Sequence, residues 1–392
     1  MKNNMTRRRK TCVALALGLL LAALPACPPG AVRLAGPGSA LLAAADEKPI
    51  RIYTFKEVGD IAQLNGSDII RQKAAVVQAE QNKESQLTSY QAQVYNYYSD
   101  PDSGISENAL LSLQDSYESA YNSYVDAEET LEKLKPKAAY QAQKLYIDIL
   151  QGERQIELQE KEILRLKDEY ELAKVKAAFG AFTLAQLNSA KTQWDNALDT
   201  LDSLKDSLKT NKNSMREYLN LADAVEFGLE NPPVFGQYAA EFDEAEVMAE
   251  ALKNSLSLKQ AQREVDELSE KIRRYESEGE SSQADRLAAS GPGKDIALKE
   301  TKQSLIRTVE TVMKEYDGLE PALDKAKENL YAAQKTYVTV KMRHSMGIAT
   351  LNEVRTAEKT VLTAEKDLAQ AQYNCYLSAK KVILLKDGIL VN

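Results

Sequence analysis

The sequence predicts an all-α fold, a duplicated pair of long antiparallel helical hairpins with coiled-coil packing. Three observations lead there: helix breakers are scarce, one tip sequence occurs twice at a fixed offset, and strict heptads follow each tip. The chain has 392 residues, with 17 Gly and 11 Pro. Residues 1–45 hold Gly18, Gly30, Gly36, Gly38, Pro25, Pro28, Pro29 and Pro37, which leaves 13 Gly and 7 Pro for the rest. So few breakers over that length favour long helices. An aromatic content of 7% with one Trp disfavours a large β-sandwich or a glycine-rich α/β enzyme.

The first 45 residues read as a signal peptide. Lys2, Arg7, Arg8, Arg9 and Lys10 precede an apolar run from Cys12 to Ala26, the n- and h-regions of a secretory signal. The run is shorter than the ~20 residues of a spanning helix. Cleavage after Ala43-Ala44-Ala45 fits the small-residue rule. Leu24-Pro25-Ala26-Cys27 offers a second reading, a lipoprotein box with a lipid on Cys27, and an uncleaved anchor is a third. The protein is thus expected to be exported to the cell envelope. Removing residues 1–45 takes away six basic residues and no acidic one, moving the formal charge from −8 to −14. Such an acidic body does not attract a phosphate backbone, so nucleic acid is not expected as a partner. Cys12 and Cys27 lie in the leader, leaving Cys375 and no internal disulfide. No later segment approaches 18 apolar residues.

Residues 46–60 read as an N-terminal linker, 61–223 as helical repeat 1, 224–240 as a linker and 241–392 as helical repeat 2. The repeat is seen by setting Lys176–Ala190 on Arg343–Ala357, an offset of 167 residues. Both have a basic residue four before a Gly, Thr three after it, Leu four after and Ala ten after. The same offset sets Tyr170 on Tyr337 and Ile163 on Leu330. The local physics is a helix, a turn and a second helix. Gly180 and Gly347 supply a left-handed residue that ends the incoming helix. Thr183 and Thr350 are N-caps, and Gln186 and Glu353, three residues on, complete capping boxes.

After the first tip one heptad row is Leu187, Trp194, Leu201, Leu208, with Ala190, Ala197, Leu204 beside it. After the second the rows are Val354, Val361, Leu368, Cys375, Val382 and Ala357, Ala364, Ala371, Ser378, Leu385. Large residues beside small ones let helix backbones approach. Trp194 and Cys375 therefore read as core. The spacing predicts helices over 61–96, 105–178, 184–222, 242–275, 294–344 and 351–386, with Pro136 a point for a kink. At about 1.5 Å per residue, 105–178 is as long as 61–96 and 184–222 together. Two half-length helices stacked beside one full-length helix follow. Phe227–Gly236, with Pro232 and Pro233, reads as the crossover between repeats.

These residues resemble the TolC family of outer membrane efflux proteins. The resemblance rests on the duplicated tip and on the ending Ala371-Gln-Tyr373-Asn374-Cys-Tyr376-Leu377, followed by Leu384-Leu385-Lys-Asp-Gly388. It rests also on Ala251-Leu252-Lys253-Asn254-Ser255-Leu256-Ser257-Leu258, which is similar to the family's opening of each repeat, with a looser version at Ile61 to Ile70. It covers roughly residues 55–390. It implies a homotrimer whose helices form a hollow cylinder and whose tips close, open and dock on an adaptor protein of an inner-membrane pump. Carried over, the docking and gating positions are Lys176, Gly180, Thr183, Leu184, Arg343, Gly347, Thr350, Leu351 and Glu353. Glu353 matches a constriction carboxylate of some members, although Thr356 stands where a second acid often follows. Capping is the favoured reading of Glu353.

The family inserts a strand hairpin in each repeat to build a barrel, and here the sequence departs from it. Only Tyr97–Glu107 separates the helices of the first repeat, and Glu276–Lys294 in the second lacks apolar alternation. No transmembrane barrel is expected, which fits the surface of a one-membrane cell, or an outer-membrane cell where another protein or a lipid on Cys27 completes the anchor. Tyr90, Tyr95, Tyr97 and Tyr98 cluster near the shortened end; one reading is an interface with lipid or cell wall, and the favoured one is packing between helices.

No GxSxG, HExxH or P-loop pattern occurs after the leader, and one His excludes most His-based catalysis and metal binding. No enzyme activity and no cofactor are expected. Glu162, Lys167, Asp168 and Glu169 read as solvated helix faces and i,i+4 pairs, and His344 as a surface His beside a tip. The function predicted is an efflux or secretion duct that exports small molecules or polypeptides passively. The alternative is an extracytoplasmic coiled-coil structural or binding protein.

Overall fold

The structure is a computed structural model that describes residues 50–100, 104–222, 226–231 and 241–391. The leader with Cys27, and Pro101, Pro232, Pro233 and Gly236, lie outside the described residues. The fold is all-α apart from two strands of three residues each. β1 (Arg51–Tyr53) leads into α1 (Phe55–Asn65) and α2 (Ser67–Ser99). α3 (Glu107–Ala178) is 72 residues long and stays one helix through Pro136. α4 (Leu184–Leu219) returns from the first tip, and β2 (Phe227–Leu229) follows. The second half holds α5 (Glu244–Asn254), α6 (Leu256–Ser277), α7 (Ser281–Ala288), α8 (Gly291–Asp317), α9 (Leu319–Ser345) and α10 (Leu351–Lys386).

α3 is about 108 Å long. Half-length helices flank it, as the length arithmetic predicts. Gln72 of α2 donates to the Ala127 carbonyl at 2.9 Å, and Gln159 of α3 donates to the Ala197 carbonyl of α4 at 2.8 Å. Every residue of the predicted heptad rows on α4 and α10 is buried or half-buried. Trp194 is half-buried and stacks on Tyr170, with ring centroids 5.8 Å apart at 18°. Cys375 is half-buried, and burial pushes its thiol pKa up.

Three predicted helices are broken, each for a local reason. The stretch 61–96 divides at Gly66, whose N–H closes α1 on the Ala62 carbonyl at 3.1 Å while its backbone is extended, φ −53° and ψ 141°. The stretch 242–275 divides at Ser255 in the same way. Its N–H bonds the Ala251 carbonyl at 2.9 Å, and its hydroxyl caps α6 through the Leu258 N–H at 3.3 Å. The stretch 294–344 divides at Gly318, where Pro321 has no N–H for the Asp317 carbonyl. Residues 46–60, read as linker, contain β1 and the start of α1, which Thr54 and Glu57 open with a capping box. β2 lies within the predicted crossover and pairs parallel with β1, Ile52 opposite Gly228.

The strands sit over the main core, in the middle of the molecule. Phe55 packs edge-on against Tyr146 of α3 and Tyr376 of α10, with centroids 5.4 Å and 5.5 Å away. The Tyr146 hydroxyl donates to the Tyr53 carbonyl at 3.1 Å and also meets the Glu230 carbonyl. The first strand, both hairpins and the last helix thus share one core. A second cluster joins Val247 and Ala251 of α5 to Leu305 and Val309 of α8 and to Val382 and Leu385 of α10.

At the end away from the tips only residues 100–106 lie between α2 and α3. That is less than the roughly 9–11 residues one membrane-spanning strand needs. In the second half the stretch Glu276–Lys294 holds the short helix α7. Among the described residues there is no closed barrel and no helix long and apolar enough to cross a membrane. Tyr95 and Tyr98 are exposed here and Tyr90 and Tyr97 half-buried, so packing accounts for only part of that tyrosine cluster.

Candidate functional site

The two tips are built alike, atom for atom along the backbone. In the first, Gly180 has φ 72°; its N–H bonds the Ala177 carbonyl at 3.0 Å, and the Ala181 N–H bonds the Lys176 carbonyl at 2.8 Å. In the second, Gly347 has φ 74°; its N–H bonds the His344 carbonyl and the Ile348 N–H bonds the Arg343 carbonyl, both at 2.8 Å. This is the Schellman end of a helix, which needs a left-handed residue where each Gly stands. Lys176 and Arg343 lie in the last turn, where a cation complements the helix dipole. The Lys176 ammonium also lies 4.8 Å from the centre of the Phe182 ring.

Thr183 and Thr350 then cap the outgoing helices, each accepting the N–H of the residue three on at 3.2 Å. Gln186 answers by accepting the Thr183 N–H at 2.9 Å, and Glu353 the Thr350 N–H at 2.6 Å. These bonds to Thr350, with Arg343 nearby, hold the Glu353 carboxyl below its ordinary range. Glu353 is therefore committed to capping. His344 Nδ1 lies 2.8 Å from the Ala349 carbonyl and donates to it.

The turns expose apolar side chains that no packing requires. Phe179 is 84% exposed, Leu184 76% and Ile348 63%, with Met346 and Leu351 also exposed. All nine sequence-predicted positions fall on the two tips, either in the turn itself or in the adjoining first or last turn of a helix. α3 and α10 bring the turns to one end of the molecule, for Asn352 donates to Glu169 at 2.9 Å. Glu169 stands nine residues before the end of α3, so the first tip projects roughly 10 Å past the second.

An ionic seam between α3 and α10 was not foreseen. Lys359 lies 2.9 Å from Glu162, Arg355 pairs with Asp168, and Arg165 bridges Glu162 and Glu169 at 2.8 and 2.6 Å. Glu162, Asp168 and Glu169, read as solvated helix faces and i,i+4 pairs, include such a local pair, Glu169 with Arg165, and in addition tie one hairpin to the other. Arg165 first, then Lys359, holds the Glu162 carboxyl down at about 2. Only the i,i+3 and i,i+4 half of this seam has a local sequence signal. Among the described residues no cluster of His, Cys, Asp and Glu could hold a metal ion.

No protein-family model matches the chain, and neither does any curated protein. Solved structures do. The CmeC outer membrane channel of Campylobacter jejuni superposes with a TM-score of 0.62 over 85% of this chain and 85% of its own, at 12% identity. The chain has the outer membrane factor fold. The OprN outer-membrane channel gives 0.60 over 85% and 90%, at 12% identity, and CusC gives 0.59 over 85% and 92%, at 10%. Likeness at such identities establishes the outer membrane factor fold alone. Against that fold, the two strands here lie beside the core and close no barrel.

Proposed function

We propose that this chain is a component of a TolC-like efflux or secretion duct in the cell envelope. Copies close into a helical tube, as a homotrimer. A periplasmic adaptor and an inner-membrane pump engage the tips, and small molecules or polypeptides pass through passively. The reading makes the chain a conduit, with no reaction of its own. Residues 61–223 and 241–392 are then the two halves of a duplicated wall element.

One observation carries this reading. The same turn is built twice, at one end, with apolar side chains left in solvent. A helix end needs its glycine and its cap, but it does not need an exposed Phe179 or Ile348. Large apolar side chains left exposed together on one short turn favour a contact surface. Lys176 and Arg343 beside it favour an adaptor surface with acidic groups. Membrane attachment is assigned to a lipid on Cys27 or to another anchor.

Dye efflux from cells that depend on this chain tests the proposal. The double variant Lys176→Glu/Arg343→Glu keeps its oligomeric state by light scattering and loses export. Full export by that variant removes the docking role of the tips. A native chain that scatters as a monomer at every accessible concentration removes the tube.

A further inference from the structure

Between α2 and the first part of α3 lies a groove of about 440 Å³ that the duct reading does not use. Its α2 wall presents Asn82 and Gln86. Its α3 wall presents Ser112, Ser116, Ser119 and Ser123, at spacings of four, three and four. Ala120, 4% exposed, forms the floor. The Ser116 and Ser123 hydroxyls fold back onto the Ser112 and Ser119 carbonyls at 2.8 and 2.9 Å, which keeps the α3 wall low. Neither carboxamide, Asn82 or Gln86, has a hydrogen-bond partner among the described residues.

The groove leads to the tyrosines at the end away from the tips. Tyr90 and Tyr97 stand about one and three turns past Gln86, and those spacings return them to the Gln86 face of α2. Both are half-buried. Tyr97 meets Tyr98 edge-on, with ring centroids 5.2 Å apart at 83°. Tyr95 lies on the opposite face of α2 and is 72% exposed.

Charge and polarity select the occupant. No Lys or Arg lines the groove, and its one carboxylate, Asp115, already accepts from Arg274 at 3.0 Å and from the Tyr275 hydroxyl at 3.1 Å. An anionic polymer or an anionic lipid headgroup therefore finds no cation there. A partner helix needs apolar anchors, and the walls offer hydroxyls and amides instead. The lining fits a neutral chain that carries hydroxyl and acetamido groups of its own. An acetamido N–H and C=O match the acceptor and donor of a carboxamide, and serine hydroxyls match sugar hydroxyls. The C–H face of a sugar ring is apolar and lies flat on a tyrosine ring, whose hydroxyl stays in water. We propose that this groove, with Tyr90 and Tyr97, binds the acetylated amino-sugar strand of the cell-wall glycan. The inference stands apart from the duct reading, since holding the wall needs neither tube nor pump, and the two can fail separately.

Co-sedimentation of the full mature chain with purified peptidoglycan sacculi tests the proposal. The native chain binds, a soluble N-acetylglucosamine oligomer displaces it, and a glucose oligomer of equal length does not. Asn82→Ala/Gln86→Ala removes two hydrogen-bonding groups and weakens binding by about tenfold or more. Ser119→Leu, which fills the groove from an exposed position, weakens it as well, and so does Tyr97→Ala. Tyr95→Ala leaves it unchanged. All these variants keep the native melting temperature, which separates lost binding from lost folding. No binding by the native chain overturns the proposal. So does binding that the N-acetylglucosamine oligomer fails to displace, or that both Asn82→Ala/Gln86→Ala and Ser119→Leu retain. Binding to phosphatidylglycerol vesicles in place of sacculi, weakened by Tyr95→Ala as much as by Tyr97→Ala, assigns this end to a lipid surface and overturns it too.

Discussion

Lys359 of α10 holds the carboxylate of Glu162 on α3 at 2.9 Å, and through it the second hairpin is fastened to the first. Glu162 has its pKa lowered from an ordinary 4.5 to about 2. A carboxyl depressed on folding stabilises the protein fully above its unfolded pKa and loses that contribution as pH falls through the folded one. The window is therefore pH 4.5 down to about 2. Glu162→Gln removes this dependence and costs on the order of 2 kcal/mol at neutral pH, after allowance for partial solvent screening. Thermal unfolding of both proteins between pH 7 and 3 checks it: the two melting temperatures converge on the acid side.

Gly180 and Gly347 have left-handed backbones, and a Cβ on either would touch nothing within 4 Å. Ala at either position therefore meets only backbone strain, about 1 kcal/mol. Gly388 has φ 73° as well, but a Cβ there would sit 2.2 Å from the Asn254 carbonyl oxygen. Gly388→Ala adds an overpacking cost of about 1–3 kcal/mol to the same strain. Urea midpoints should rank the three variants in that order, the tip pair close together and Gly388→Ala well below.

Thr183→Ala and Thr350→Ala each delete a cap worth about 1 kcal/mol. Amide hydrogen exchange gives the local reading. The Gln186 and Glu353 N–H groups, which lose their acceptor, exchange faster, while the amides near Tyr146 in the core are unchanged.

Tyr146→Phe leaves the Tyr53 and Glu230 carbonyls without their shared donor. The side chain is fully buried, so the loss costs about 1–2 kcal/mol. It also frees β1 from α3, and trypsin should then cut after Arg51 in the folded variant sooner than in the native chain.

The tips were legible because everything that makes them is local. A glycine, a threonine three residues on and a Gln or Glu three beyond that specify a Schellman end and a capping box without tertiary help. The α4 and α10 seams were legible for the same reason, since a heptad is read along one helix. The breaks at Gly66 and Ser255 were not. Each lies inside a run whose apolar pattern continues on both sides, and the decisive step is one extended residue. In hindsight the Asn65-Gly66 and Asn254-Ser255 pairs, each three residues after an Ala that takes the closing N–H, carried a faint signal. The two strands are three residues long, too short for a period of two to show. The ionic seam joins residues nearly 200 positions apart, and only packing brings them together.

The unbroken run of α3 has a mechanical consequence. A continuous helix cannot shorten without giving up hydrogen bonds, so its 72 residues fix a distance of about 100 Å between the turns and the opposite end. The protein is in that sense a measuring rod. Adding one heptad to α3 alone would put α2 or α4 out of step with it. To change the span by about 10 Å, the flanking helices must be lengthened as well.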